Sequence, residues 1–302
     1  MESDFISGHD RREVAGALFD LGNGAYRVSQ LSHSRPALGS PLANLLENSV
    51  PSESWGQPGA TEESVRKGVM KPMIAGFDHF DAYATGLRSD RDLMMSLATV
   101  TRGALEAWGR AWWLLESQDA KELQCRRHAL TLAELKYQVQ VDPAARFSYP
   151  NDDGKQVAIS GVEYQDKLRA LLSQLDPDFP IKAPSYTTLA TDFLKSFDEA
   201  NARWMYSQLS SAAHGETIGT TTFTREVEHD LGGSIEYHPD MYMTRFGLPR
   251  ELGIGYAKAL AAAIAVITER TLNWWGMTAE ESDRWEQHRW RAGQRLDDLD
   301  RV

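Results

Sequence analysis

Two segments hold the residue types that do chemistry, at spacings that would bring them together. The first is Thr101-Arg102-Gly103-Ala104-Leu105-Glu106-Ala107-Trp108. On a helix, Arg102 and Glu106 are one turn apart and share a face. They stand in an otherwise apolar run with Trp108, Trp112 and Trp113. A charge buried in such a run has to be paired, because an unpaired one is costly to desolvate. The second segment runs from Arg203 to Glu216. Tyr206, Leu209, Ser210 and Ala213 fall on one helical face, with His214 beside it. The small residues Ser210, Ser211, Ala212 and Ala213 permit close helix approach. The imidazole of His214 can act as base, ligand or hydrogen-bond partner. The plainer reading is a histidine that ends its helix, caps carbonyls and packs.

If the two segments meet, His214 is the candidate general base, Arg102 holds an anionic group and Glu106 orients one of them. Tyr206, Ser210, Glu216 and His128 are the accompanying candidate binding residues. Glu106, His128 and His214 could be joined across three helices, as in bundle carboxylate sites. The E-x-x-H pair that usually marks such sites occurs only at Glu226 to His229, outside any confident helix. No metal ligand is therefore assigned, and no cofactor is identified.

Absent motifs narrow the chemistry further. Gly22-Asn23-Gly24 leads to Arg27 and Gly253-Ile254-Gly255 to Lys258, so neither completes a dinucleotide fingerprint. There is no Walker loop and no G-x-S-x-G elbow. Ser64-Val65-Arg66-Lys67 fits S-x-x-K without the partner motifs of that chemistry. His214-Gly215-Glu216 fits the H-x-E of zinc deaminases, but those enzymes also need paired cysteines, and Cys125 is the sole cysteine. The cluster Asp297-Asp298-Leu299-Asp300 lies too near the C-terminus to line a terpene-cyclase cavity.

The elements that must carry these residues are mostly helical. Thr61 with Glu62 and Glu63 marks a helix start, with a run to about Leu87 and a kink at Pro72. Ser89 is expected to cap the Trp-rich helix, Asp119 a helix to about Val141, and Ser160-Gly161-Val162-Glu163 a helix to Leu175. Thr187 or Thr188 opens a helix to about Glu199. The next spans Ala202 to Ala213 and stops at His214-Gly215. Thr220 to Thr224 is β-rich and Gly232-Gly233 precedes Ser234 to Tyr237, which predicts a hairpin. Helix returns from Pro249 to Trp275, and Thr278-Ala279-Glu280-Glu281 opens a final charged helix.

The expected fold class is mainly α, a multi-helix bundle with a small β-hairpin insertion near 220–238. Three regions are expected: an irregular arm over 1–60 with short helices at Arg11 to Asp20 and Pro41 to Asn48, the bundle over 61–277, and a charged helix over 278–302. Trp108, Trp112, Trp113, Trp274 and Trp275 read as core. Trp285 and Trp290, on the charged helix, read as partly exposed.

The pair R-x-x-x-E at Arg102 and Glu106 is followed by Pro184-Ser185-Tyr186-Thr187, and then by Y-x-x-L-S-x-x-x-H-G at Tyr206, Leu209-Ser210 and His214-Gly215. This set resembles uncharacterised helical bacterial proteins of actinobacterial type, over roughly 95–275. Such proteins look distantly like HEPN bundles, some of which are RNases. HEPN RNases set an arginine a short interval ahead of a histidine. Here ten residues separate Arg203 from His214, which is too many. Three separate Arg225 from His229 and Arg284 from His288, which is too few. The resemblance therefore implies the bundle without the RNase activity.

Bulk composition sets the remaining expectations. The 302 residues carry 32 Lys+Arg against 43 Asp+Glu, a formal net charge of -11, which disfavours broad nucleic-acid binding. The arginines near the C-terminus alternate with acids and form a mixed face, not a basic stripe. A lone cysteine in this tryptophan-rich, acidic chain points to a reducing compartment, and the N-terminus lacks the pattern of a secretory signal. Leu252 to Ile267, the most apolar stretch, is too short to span a bilayer and reads as a buried helix. The expectation is a cytoplasmic protein with no membrane partner, open to a small molecule and to homo-oligomerisation. Two functional classes follow: a non-catalytic binding or interaction module, or an enzyme acting on a small molecule at a bundle pocket.

Overall fold

Helix-start chemistry accounts for many of the boundaries in the computed structural model, which describes residues 5–31, 35–48, 62–89, 93–150, 155–230 and 242–299. The order is α1 (Gly8–Leu31), α2 (Pro41–Glu47), α3 (Glu62–Leu87), α4 (Met94–Leu115), α5 (Ala120–Val141), β1 (Arg146–Pro150), β2 (Gln156–Ser160), α6 (Gly161–Leu175), α7 (Tyr186–Lys195), α8 (Ala202–Ala213), α9 (Thr217–Phe223), β3 (Arg225–Asp230), β4 (Tyr242–Gly247), α10 (Arg250–Trp275) and α11 (Ala279–Asp298). The protein is a mainly α bundle. Asp119, Ser160, Ser185 and Thr278 each accept a backbone N–H from the first turn of the following helix. Thr278 and Glu281 form the reciprocal capping box.

Helix α4 occupies the centre, packed against α3, α7, α8 and α10. Trp108 on α4 is fully buried and meets Phe77 and Phe80 of α3 edge-on or tilted, with ring centroids 5.9 Å away. A smaller core of Cys125, Leu132, Leu135, Leu168 and Leu172 joins α5 to α6.

Several expectations are corrected. The arm over 1–60 is not irregular throughout, because α1 is one helix of 24 residues. Its Val14, Leu18, Leu21, Ala25 and Val28 are buried in the main core. Gly22-Asn23-Gly24 reads as a turn locally but lies inside this helix, where the bare Gly24 lets the His288 ring of α11 approach (a Cβ there would lie 2.9 Å from it). Burial of the apolar face overrides local propensity. Helix α11 is likewise part of the core. Trp285 is buried at 2% exposure, whereas Trp290 stands out at 63%. Thr61 lies outside the described residues. Ser89 does not cap α4, which opens at Met94 after Leu93 without a side-chain cap. Helix α7 starts at Tyr186 and ends at Lys195, short of Glu199.

The hairpin is shifted. Strand β3 pairs antiparallel with β4, with Arg225 opposite Gly247 and Asp230 opposite Tyr242, while 232–237 lie outside the described residues. The threonine-rich Thr220 to Phe223 belongs to the short helix α9. There the hydroxyls of Thr220, Thr221 and Thr222 donate to carbonyls one turn back, and Phe223 stacks on Tyr256 with centroids 5.0 Å apart. A second, unexpected hairpin joins β1 to β2, with Arg146 opposite Ser160. Helix α10 extends well beyond Leu252–Ile267. By length and composition it could cross a membrane, yet half of its most apolar stretch is buried inside the bundle.

Candidate functional site

Helix α4 presents Arg102, Glu106 and Arg110 along one edge, one turn apart each. Helices α7 and α8 cross this edge. Gly109 permits the α7 contact, since a Cβ there would lie 2.8 Å from the Leu189 carbonyl oxygen. At the end of α8, Gly215 adopts a left-handed φ of 70°. Its N–H donates to the Ala212 carbonyl and the Glu216 N–H to that of Ser211. This double closure is the usual glycine-terminated helix end. It makes His214 the last residue in helical conformation and turns its ring toward α4.

The side chains then meet. Arg102 Nε donates to Glu106 Oε1 at 2.7 Å, and the Tyr206 hydroxyl donates to the same oxygen at 2.6 Å. Arg102 Nη1 lies 3.0 Å from His214 Nε2. A guanidinium only donates, so Nε2 accepts and the imidazole proton sits on Nδ1. The Arg102 guanidinium also lies 5.9 Å from the centre of the Tyr206 ring. Thr187 Oγ1, on α7, is 3.3 Å from the Tyr206 hydroxyl. Burial works against the Arg102 charge, but the bond to and charge of Glu106 outweigh it and hold the guanidinium protonated more firmly than usual. Burial, and then donation to Glu106, push the Tyr206 hydroxyl above its ordinary pKa. Arg102 and Glu106 are 24% and 22% exposed, so the cluster is half-sheltered and not sealed.

Beside the cluster, α7, α8 and α9 enclose a cleft of about 630 Å³. Tyr206 joins the two features. The cleft is rich in hydroxyls, among them Thr188, Thr191, Ser207 and Ser210, and carries Arg203, Lys195, Asp192 and Glu216. Lys195 is paired with Asp192 at 2.7 Å, whereas Arg203 has no ion-pair partner among the described residues. Gln208 Oε1 is buried and has no hydrogen-bond donor among the described residues.

The structure thus brings Arg102, Glu106, Tyr206 and His214 into one network, with His214 linked to Glu106 through Arg102. Ser210 and Glu216 face the neighbouring cleft. His128 does not join them. It is buried on α5, where burial and then the charge of Arg127 depress its pKa to about 3. Nor do Glu106, His128 and His214 form a metal site; among the described residues no three His, Cys, Asp or Glu side chains are grouped to hold an ion. The Arg110–Glu134 pair and the stacking of Arg110 on the Tyr186 ring, 5.2 Å from its centre, went unread in the sequence. The continuation of the Arg102, Glu106 spacing to Arg110 is the signal that would have found Arg110. No family model, no curated protein and no solved structure matches the chain.

Proposed function

We propose that the protein is a helical binding and interaction module, distantly HEPN-like and without the RNase motif, whose ligand surface is the polar cleft between α7, α8 and α9. The observation that carries this reading is that Arg102 and Tyr206 both donate to Glu106 Oε1 while Arg102 also engages His214 Nε2. The His214 lone pair that would take a substrate proton is engaged by Arg102, and both donors on Glu106 come from within the protein. Such a network holds α8 on α4 and positions the cleft wall, and it engages the His214 nitrogen that would otherwise serve as the base. Arg203, which has no ion-pair partner among the described residues, supports a ligand that offers negative charge. In this reading the module is cytoplasmic, α10 is a bundle helix and not a membrane span, nucleic acid is not the partner, and assembly into a homo-oligomer remains compatible with the exposed Trp290.

The test is a binding screen with a blocked-cleft control. Wild type and a Ser207→Trp variant are titrated with ADP, ribose 5-phosphate and citrate by calorimetry, and a single-stranded RNA is incubated with both. Saturable binding of one small anion that Ser207→Trp abolishes, with the RNA left intact, supports the reading. Turnover of any of these compounds that disappears in His214→Ala would transfer the assignment to the alternative, an enzyme acting on a small molecule with His214 as base.

A further inference from the structure

A second cavity, of about 750 Å³, lies between α5, α6 and the segment 181–186 leading into α7. It has the volume of ligand sites and shares no lining residue with the polar cleft. Its wall is apolar: Leu130 and Leu132 are buried beneath it, while Ile181, Tyr137 and Tyr186 remain 46%, 70% and 43% exposed at its edge. Single exposed apolar side chains are ordinary, but three bordering one concavity are not. The Tyr186 ring is held in place, because Arg110 covers one face and is itself paired with Glu134. A wall fixed in advance loses little freedom on binding.

The rim adds charge to this shape. Glu134 is engaged by Arg110, and Arg169 is neutralised by Asp166 at 2.7 Å. Lys136 and Lys182 also line the cavity and have no carboxylate partner among the described residues. In a chain of net charge -11, two uncompensated ammonium groups over an apolar wall form a local exception. The geometry points to a binding site for a small amphiphilic carboxylate, its hydrocarbon part in the groove and its carboxylate between Lys136 and Lys182. This site is independent of the function proposed for the polar cleft. The apolar wall supplies affinity in proportion to the hydrocarbon it covers, and the lysines select the sign of the head group.

The experiment is calorimetric titration of the intact protein with octanoate, decanoate and laurate below their micellar range, and with dodecyltrimethylammonium as the charge-reversed control. Affinity should rise with chain length, by up to about fourfold per methylene buried. Laurate should bind about tenfold more tightly than the cation, and the Lys136→Ala, Lys182→Ala double variant should lose about tenfold, the sum of two partly exposed charge contacts. Ala133→Trp, at an exposed position of the lining, should fill the groove and remove binding while leaving the circular dichroism spectrum unchanged. Equal binding of laurate and the cation, or laurate binding indifferent to Ala133→Trp in a folded variant, overturns the proposal. So does a concentration-dependent dimer broken by Ala133→Trp without any laurate binding, which would make a second copy the occupant.

Discussion

Glu106 is the acceptor on which the α4–α8 junction depends, and its removal has a size that follows from its contacts. Glu106→Ala leaves the hydroxyl of the buried Tyr206 without its 2.6 Å acceptor and frees the Arg102 guanidinium from its 2.7 Å partner. A hydrogen bond to a charged group contributes about 1.5–3 kcal/mol. The Arg102 pair, roughly a quarter exposed on each side, adds about 0.3–0.5 kcal/mol in the manner of helical i,i+4 pairs. The expected loss is about 2–3 kcal/mol. For a chain of this size that lowers Tm by roughly 3–5 °C. Urea denaturation followed by tryptophan fluorescence measures it. The pairing itself is isolated by a double-mutant cycle with Tyr206→Phe, in which the two substitutions should fall short of additivity by about 1 kcal/mol. Glu106→Gln, which retains one acceptor oxygen but not the charge, should fall between wild type and alanine. If Glu106→Ala costs under about 0.5 kcal/mol and adds to Tyr206→Phe without coupling, the junction does not rest on this carboxylate.

Three further outcomes are expected. His128 is neutral in the fold with a pKa near 3, against 6.5 for the free side chain, so the unfolded chain binds the extra proton between these values. Stability should therefore fall as pH drops from about 6.5 toward 3, by up to about 1.4 kcal/mol per pH unit, and His128→Gln should flatten the urea midpoint over that window. Gly109→Ala would drive a Cβ to 2.8 Å from the Leu189 oxygen and 3.0 Å from the Ala190 nitrogen, both backbone; separating α4 from α7 should cost about 1–3 kcal/mol by the same assay and weaken any ligand of the polar cleft. Trp285→Ala should cost about 3–5 kcal/mol because the indole is buried, whereas Trp290→Ala on the same helix should stay within about 0.5 kcal/mol in thermal denaturation.

Much of the helical framework can be read along the chain because its signals are local. Asp119, Ser160 and Thr278 each satisfy backbone N–H groups a few residues away, and the left-handed glycine at 215 ends α8 where the sequence places the stop. The Arg102–Glu106 pair is equally local, one helical turn on one face. Where the reading failed, a distant partner decided. Gly22 to Gly24 continues a helix because α3 and α11 need the space. Thr220 to Phe223 is helical because Phe223 finds Tyr256 and the hydroxyls find carbonyls one turn back. The β1–β2 hairpin went unread although Asn151-Asp152-Asp153-Gly154 separates its two alternating runs.

The sequence by itself determined the mainly α class, most helix boundaries, and the identity of the residues able to pair, because capping, periodicity and one-turn spacing act within a few residues. Only the tertiary structure decided which of them meet. Tyr206 and His214 reach Glu106 and Arg102 from 100 and 112 positions away, while His128, an equal candidate by residue type, is turned into the core and left neutral. Contact between distant helices follows from how their apolar faces close on one another. That closure also made the two cavities, neither of which any run of residues encloses alone.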